Sequence, residues 1–481
     1  MVGSSMKVTR LQLMAWFPQL LGPLVFSVTL LLPAPAGLAD PAWRVAGMGL
    51  WMAVWWASEA IPIPATALLP LILCPLLGIA DLTEVAPAYA HPIIFLFFGG
   101  FVLGIAMQRW NLHRRIALFI LKRSGGEARA QIAGFMLATA FLSMWVSNTA
   151  TSVMMLPIAL SVLAYHSGNS RQANNFRKTL LLAVAYSASI GGMATLIGTP
   201  PNALLAAYIK DSHGIEIGFA QWMLVGLPIS LCLLVFVWWW LCRGPLPTLK
   251  AQGSDQLFNT ELSDMGSISK AEQRVLTVFL LTATAWILRP LLSQYLPGLN
   301  DTVIAIIAAV AFFILPSGIK GKRLLTWGDL QSLPWGVLIL FGGGLALAAV
   351  IKSSGLAEWI AQSLDLLAVM PMLFIILGLV AVIVFLTELS SNTATTAAFL
   401  PLMGALAVAQ GHSPLLYAVP VALAASCAFM MPVATPPNAV VFSSGQVSIK
   451  DMVRAGLMIN LFAILLLSFL GLWVVEGVLV S

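Results

Sequence analysis

Two copies of Ser-Asn-Thr, Ser147-Asn148-Thr149 and Ser391-Asn392-Thr393, interrupt apolar segments of the chain. Each is followed by a Thr-Pro-Pro-Asn, at Thr199-Pro200-Pro201-Asn202 and Thr435-Pro436-Pro437-Asn438. These residues offer hydroxyl and amide oxygens but no thiol, imidazole or carboxylate, so the chemistry they suit is ion binding, not bond making. Thr-Pro-Pro-Asn is a helix start: Thr199 suits an N-cap and Pro200 the first helical position, where no N–H is needed. Gly191, Gly192 and Gly198 just upstream supply a break. Asn148-Thr149 and Asn392-Thr393 are expected to cap helices in the same way. Four half-helix N-termini would then meet, each with free N–H groups and a positive dipole end. Such a site holds an anion without Lys or Arg. The same breaks expose carbonyls beside Ser, Thr and Asn oxygens, and hard oxygen donors without carboxylates suit a monovalent cation, sodium, better than Zn²⁺ or Ca²⁺.

The elements that must carry these groups lie in a bilayer. Of 481 residues 60% are hydrophobic and 9% charged, with a mean hydropathy of +0.95, more apolar surface than a soluble core could hide. The net charge of +6 collects in a few loops and forms no stripe of the kind nucleic acid requires. Cys74, Cys232, Cys242 and Cys427 read as small hydrophobes in or beside apolar runs. The opening MVGSSM is read as an expression scar with Met6 as the native start and is left out, and no cleavable signal peptide is evident.

Eleven membrane spans are expected, at 11–32, 41–57, 62–79, 92–109, 179–209, 219–242, 273–289, 302–316, 335–350, 414–442 and 455–478. Two more apolar stretches, 131–165 and 371–410, are too short for two crossings at ~20 residues each and have Ser-Asn-Thr at their centres. They read as re-entrant hairpins. With the first entering from the cytoplasm and the N-terminus also inside, the basic loops gather on the cytoplasmic face, leaving only Arg44, Lys210, Arg289 and Lys352 of the 24 basic residues elsewhere. The second hairpin then opens outward between Asp365 and His412, and the C-terminus lies outside. Phe98-Gly99-Gly100 matches Phe341-Gly342-Gly343, and Pro157 and Pro401 each follow their Ser by ten residues. The halves therefore form an inverted repeat, with the breaks as the binding region. The glycine pairs are read as close-packing positions. Leu112, Ile116, Phe119 and Ile120 share one face of an interfacial helix with Arg114, Arg115, Lys122 and Arg123 toward the other, and Leu356, Trp359, Ile360 and Leu364 are its counterpart. Residues 243–272 read as a cytoplasmic linker.

The segment Ser426-Cys427-Ala428-Phe429-Met430-Met431-Pro432-Val433-Ala434-Thr435-Pro436-Pro437-Asn438-Ala439, with Trp55-Trp56 and Glu59-Ala60-Ile61-Pro62, closely resembles the divalent anion/sodium symporters, the sodium-coupled dicarboxylate and sulfate carriers. The similarity spans essentially the whole chain. It implies an all-α polytopic membrane protein with an inverted repeat of about 11 transmembrane helices plus two hairpins, assembled as a homodimer in the cell (inner) membrane. It further implies a scaffold of residues 1–130 and 273–370, a linker at 243–272, and an elevator-type transport domain of 131–242 and 371–481. One sodium would lie at Ser143, Ser147, Asn148 and Gly198, the other at Thr387, Ser390, Asn392 and Ala434. The substrate dianion would meet Asn148, Thr149, Thr199, Ser391, Asn392, Thr393 and Thr435. The function implied is sodium-coupled uptake of C4-dicarboxylates such as succinate, malate or fumarate with two or more sodium ions. A sodium-independent exchanger, a sodium/sulfate symporter and an anion channel are the rivals.

An enzyme is not expected. The five His are scattered, HExxH and GxSxG are absent, and Gly318 to Arg323 is too short for a P-loop, which also argues against ATP as the driving force. Glu388 is the one acid inside a hairpin, and it is read as a structural partner at a domain surface in preference to a proton carrier.

Overall fold

Apolar segments in a bilayer must satisfy their backbone groups internally, and helices do so within one segment. The computed structural model describes residues 18–165, 170–248, 251–363 and 370–480; Leu364, Asp365, Lys7 and Arg10 lie outside them. Among the described residues the chain is helical without a strand, apart from an isolated bridge between Pro316 and Arg323. The first half begins with α1 (Pro18–Leu31), α2 (Asp40–Ser58), α3 (Ile63–Leu76) and α4 (Pro92–Arg109). It continues through α5 (Leu112–Arg123), the hairpin arms α6 (Ala128–Ser143) and α7 (Asn148–Tyr165), then α8 (Arg171–Met193), α9 (Pro200–His213) and α10 (Phe219–Leu241). After α11 (Ala251–Asp264) come α12 (Lys270–Leu292), α13 (Asp301–Ile314), α14 (Trp335–Ser353) and α15 (Leu356–Ser363). The arms α16 (Met372–Leu386) and α17 (Asn392–Ala409), the broken pair α18 (Pro414–Ala424) and α19 (Pro436–Phe442), and a closing helix α20 (Ile449–Val480) complete the chain.

By length and composition six described helices could cross a membrane and six more are apolar but only 10–17 residues long. The expected spans 179–209 and 414–442 are each two helices, interrupted at 194–199 and 425–435. Ser147 and Ser391 stand at the turns of the two hairpins. The glycine pairs are close contacts: a Cβ on Gly99 would meet Ala305 and one on Gly343 the Ala67 backbone.

Two readings change with tertiary packing. On α5 the buried face is Leu112, Ala117, Leu118 and Leu121, whereas Phe119 is exposed. Arg115 Nε donates to Glu272 at 2.6 Å and Arg114 pairs with Glu261, so both cations turn toward protein. The span 243–272 is not all linker. It forms α11, whose Phe258 is buried 6.5 Å from the Phe135 ring.

Contacts between segments define how the halves meet. Lys178 Nζ donates to Asp451 at 2.8 Å, joining α8 to α20. On the opposite side His91 and Asp211 are 3.0 Å apart, and Lys352 Nζ donates to the Ser212 carbonyl at 2.5 Å, a cation on the C-terminal carbonyls of α9. Arg289 of α12 donates to Glu216, between α9 and α10, at 2.6 Å, and that hydrogen bond holds the Glu216 carboxyl below its usual range.

Candidate ion and substrate site

The two hairpin turns and the two helix breaks converge on one cavity of about 800 Å³, within the range of small-molecule sites. Asn148, Thr149, Thr199, Ser391, Asn392, Thr393 and Thr435 all line it, as do Ser147, Gly198, Ser390 and Ala434. Ser143 and Thr387 lie just beneath, fully buried. Residues 244 positions apart in sequence are thus brought to one place. Ser58, Glu59, Pro334 and Val337 line it as well. Among the described residues no Lys or Arg lines the cavity, and its one ionisable lining side chain is Glu59, in the left-handed region at φ 48°.

Each turn is capped by its serine, not by Asn-Thr as the sequence suggested. Ser147 Oγ accepts from Ala150 N at 3.2 Å, and Ser391 Oγ from Ala394 N at 3.5 Å. The physical gain is that each Asn amide is released from local capping. The N–H groups of Asn148, Thr149, Asn392 and Thr393, in the first turn of α7 and α17, have no intrahelical acceptor. At α9 and α19 the expectation of free N–H groups fails, since two prolines occupy the first two positions and have no N–H to offer. Those starts contribute a dipole end and the Thr199 and Thr435 hydroxyls instead. Thr199 makes no side-chain cap bond.

The released amides build two matching oxygen clusters. Ser143 Oγ lies 2.5 Å from Asn148 Oδ1 and 2.7 Å from the Ala188 carbonyl oxygen. Thr387 Oγ1 lies 2.7 Å from Asn392 Oδ1 and 2.8 Å from the Ala425 carbonyl oxygen. In each cluster three oxygens meet with one hydroxyl hydrogen among them, and a hydroxyl donates only once. Surplus lone pairs on hard oxygens are the donor set that suits a small hard cation. The breaks themselves are held open by the last residue of each motif. Asn202 Nδ2 donates to the carbonyls of Gly192 and Thr195 at 3.1 and 2.8 Å, and Asn438 Nδ2 to those of Ala428 and Met431 at 3.1 and 3.0 Å.

Two residues of the cavity were not singled out from sequence. Ser189 and Ser426 line it, both are nearly fully buried, and neither hydroxyl has a protein partner among the described residues. They follow Ala188 and Ala425 directly, so each adds an oxygen beside one cluster. Their signal was position: both are polar residues in apolar segments at nearly the same distance before Thr-Pro-Pro-Asn. Glu388 is not at a domain surface. It is buried, with Oε1 accepting from Phe429 N, Met430 N and Asn460 Nδ2 at 2.7, 2.9 and 2.7 Å and Oε2 from Met431 N at 2.9 Å.

Steric space at the first turn is set by glycine. A Cβ on Gly192 would stand 2.7 Å from Asn148 Oδ1 and 2.9 Å from its Nδ2. Gly192→Ala is therefore expected to push that amide out of its cluster, at a cost of about 1–3 kcal/mol, or roughly five- to a hundredfold in ion or substrate affinity. Ligand-induced thermal shifts on purified protein check this; an unchanged shift with the cation and substrate would show that the amide position is not critical.

Comparisons with known proteins place the chain in a family. A Staphylococcus saprophyticus protein, the sodium-dependent dicarboxylate transporter SdcS, is 43% identical over 475 residues, covering 96% of this chain and 91% of that protein. The SdcS of Staphylococcus aureus strain USA300 is 42% identical with the same coverage. Among solved structures, Neisseria gonorrhoeae MtrF, of a class of antimetabolite efflux pumps, superposes with a TM-score of 0.55 at 10% identity over 94% of this chain and 97% of its own. The Alcanivorax borkumensis YdaH transporter does so at 0.54 and 16%, over 92% and 99%; both likenesses concern the fold alone. The model of the sodium:sulfate symporter transmembrane region matches residues 14–479, and with nearly its whole length so matched, this chain, a multi-pass membrane protein whose relatives are transporters and not enzymes, belongs to that family.

Proposed function

We propose that the protein is a secondary transporter that carries a C4-dicarboxylate dianion, such as succinate, malate or fumarate, into the cell together with two or more sodium ions. The observation that carries this reading is electrostatic. The cavity has room for the dianion and helix dipoles pointing at it, yet no basic side chain lines it among the described residues and the Glu59 carboxylate does. A dianion there needs cations to balance it, and two oxygen clusters with surplus lone pairs flank the site. The names of the relatives, sodium-dependent dicarboxylate transporters, support both halves of the reading.

In this mechanism Ser143, Ser147, Asn148 and Gly198 hold one sodium and Thr387, Ser390, Asn392 and Ala434 the other. The substrate carboxylates take the Asn148-Thr149 and Asn392-Thr393 amides with the Ser391, Thr199 and Thr435 hydroxyls. Sodium binding draws each Asn amide oxygen toward the cation and fixes the first turn of α7 or α17. The N–H groups of that turn are then set for carboxylate, so cation and anion bind as a unit. Residues 131–242 and 371–481 form the moving domain, tied together by Lys178 and Asp451, against a homodimeric scaffold of 1–130 and 273–370. With the N-terminus cytoplasmic and the C-terminus outside, the side of the cavity lined by Glu59 and Pro334 faces the cytoplasm. The His91–Asp211 and Lys352–Ser212 contacts then close the outer side.

The direct test is uptake of labelled succinate into proteoliposomes. An inward sodium gradient is expected to drive accumulation while potassium or choline does not. Equal uptake without sodium would move the protein to the exchanger class, and competition by unlabelled sulfate stronger than by malate would move it to sulfate. If three sodium ions accompany each dianion the cycle carries net charge, worth ~2.3 kcal/mol per charge per 100 mV, and a current follows.

A further inference from the structure

Between α10 and α20 lies a groove of about 500 Å³ that has no part in the proposed transport cycle. Its walls are Leu231, Val235 and Trp239 of α10 and Phe462 and Leu466 of α20, and no charged side chain lines it. The Phe236 ring lies flat on that of Phe462, with centroids 3.8 Å apart and planes 7° from parallel, so the two helices meet through residues of the groove itself. Leu231, Val235 and Trp239 are exposed. On a chain that passes through a bilayer, such a surface faces lipid tails, which are as apolar as leucine.

Charge at one end sets this groove apart from an ordinary lipid-facing surface. Leu231, Val235 and Trp239 recur every four residues along α10, and Arg243 follows at the same interval just past the helix end. Its guanidinium carbon lies 3.5 Å from the centroid of the Trp239 ring and 5.0 Å from that of Trp240, a cation seated on the groove's own wall. On α20, Arg454 begins the ridge of every fourth side chain that runs through Met458 to Phe462 and Leu466. Two neighbours on α8 fix the level of both cations. Lys178 Nζ donates at 2.8 Å to Asp451, three residues before Arg454, and Thr179 Oγ1 at 3.3 Å to the carbonyl of Leu241, two residues before Arg243. Both arginines are exposed, and neither makes a salt bridge among the described residues. Trp238, Trp239 and Trp240 mark this end as the boundary between hydrocarbon and headgroups.

We propose that the groove is a binding site for an anionic phospholipid, one acyl chain lying along Leu231, Val235 and Phe462 and the phosphate held between Arg243 and Arg454. Guanidinium suits that role because its planar fork donates two parallel hydrogen bonds to a phosphate. A choline lipid carries its own cation beside the phosphate, so two unpaired arginines select a headgroup of net negative charge. Both walls belong to the segments proposed to move, and the lipid therefore rides on one body and does not bridge two.

The experiment adds dioleoyl phosphatidylglycerol or dioleoyl phosphatidylcholine to delipidated protein in a non-ionic detergent, and reads bound lipid by native mass spectrometry with thermal stabilisation in parallel. Wild type is expected to bind the glycerol lipid at least about tenfold more tightly than the choline lipid. One basic side chain beside an anionic headgroup is worth about fivefold, so Arg243→Gln and Arg454→Gln should each lose that factor and the double variant about twenty-fivefold. Lys320→Gln, an exposed cation away from the groove, should change nothing. Val235→Trp fills the groove and should weaken both lipids, whereas glycerol 3-phosphate, a headgroup without chains, should not stabilise wild type. The substituted side chains are all exposed, and the two single arginine variants keep the test available should the double variant not fold. Equal binding of the two lipids by wild type would overturn the proposal, as would a preference for the glycerol lipid that survives loss of both arginines. Lipid binding left intact by Val235→Trp, or matched by glycerol 3-phosphate, would also overturn it by reducing the site to surface charge. A change of oligomer mass in Val235→Trp with lipid binding unaltered would give the groove to a second copy of the chain.

Discussion

Asn148→Ala and Asn392→Ala are each expected to abolish measurable succinate uptake while leaving a folded protein. Each amide oxygen belongs to a cluster with Ser143 and Ala188, or with Thr387 and Ala425, at 2.5–2.8 Å. Each amide also stands at a helix start aimed at the substrate. Removing a partner of charged groups costs about 1.5–3 kcal/mol, or roughly ten- to a hundredfold for one ligand. Here one side chain serves both the cation and the anion, so the two losses multiply. The caps are untouched, since Ser147 and Ser391 make them, and the fold should survive. Thermal shifts with sodium alone separate the two roles: loss of the sodium shift in both variants is expected. A variant that keeps near-normal uptake would remove its turn from the site.

Joining residues 91 and 211 covalently is expected to stop transport completely. His91 precedes α4 in the proposed scaffold and Asp211 ends α9 in the proposed moving domain, with their side chains 3.0 Å apart. A domain that slides across the membrane must separate them. The measurement is uptake by a His91→Cys/Asp211→Cys protein lacking the four native cysteines, before and after a short thiol-specific crosslinker, with recovery when a cleavable linker is cut. Each single cysteine variant is the control. Full transport after complete crosslinking would rule out relative movement of these segments and leave a local hairpin gate.

The site's membership was largely readable from spacing, because a duplicated motif on apolar helices has few physical uses. Its internal wiring was not. Whether Ser147 or Asn148 caps α7 depends on which side chain the neighbouring helix can better employ, and that neighbour, Ala188 with Gly192, lies forty or more residues away in the chain. Ser189 and Ser426 lie buried in one cavity with hydroxyls that have no protein partner among the described residues, and no local pattern marks that. Arg114 and Arg115 read as the solvent face of an amphipathic helix because hydropathy periodicity knows nothing of Glu261 and Glu272, which α11 and the start of α12 bring against them.

By itself the sequence determined that the chain is helical and apolar enough to pass repeatedly through a bilayer, and that four segments break at polar motifs. Those are consequences of composition and of local rules for glycine, proline and capping residues, which act within a few positions. Tertiary structure alone decided that the four breaks share one cavity, that Asn148 and Asn392 turn toward a hydroxyl and a carbonyl to leave unspent lone pairs, and that Glu388 lies buried on the second break. The reason is that each of these depends on burial and on oxygen-to-oxygen distances between segments far apart in the chain, and such distances exist only once the helices have packed.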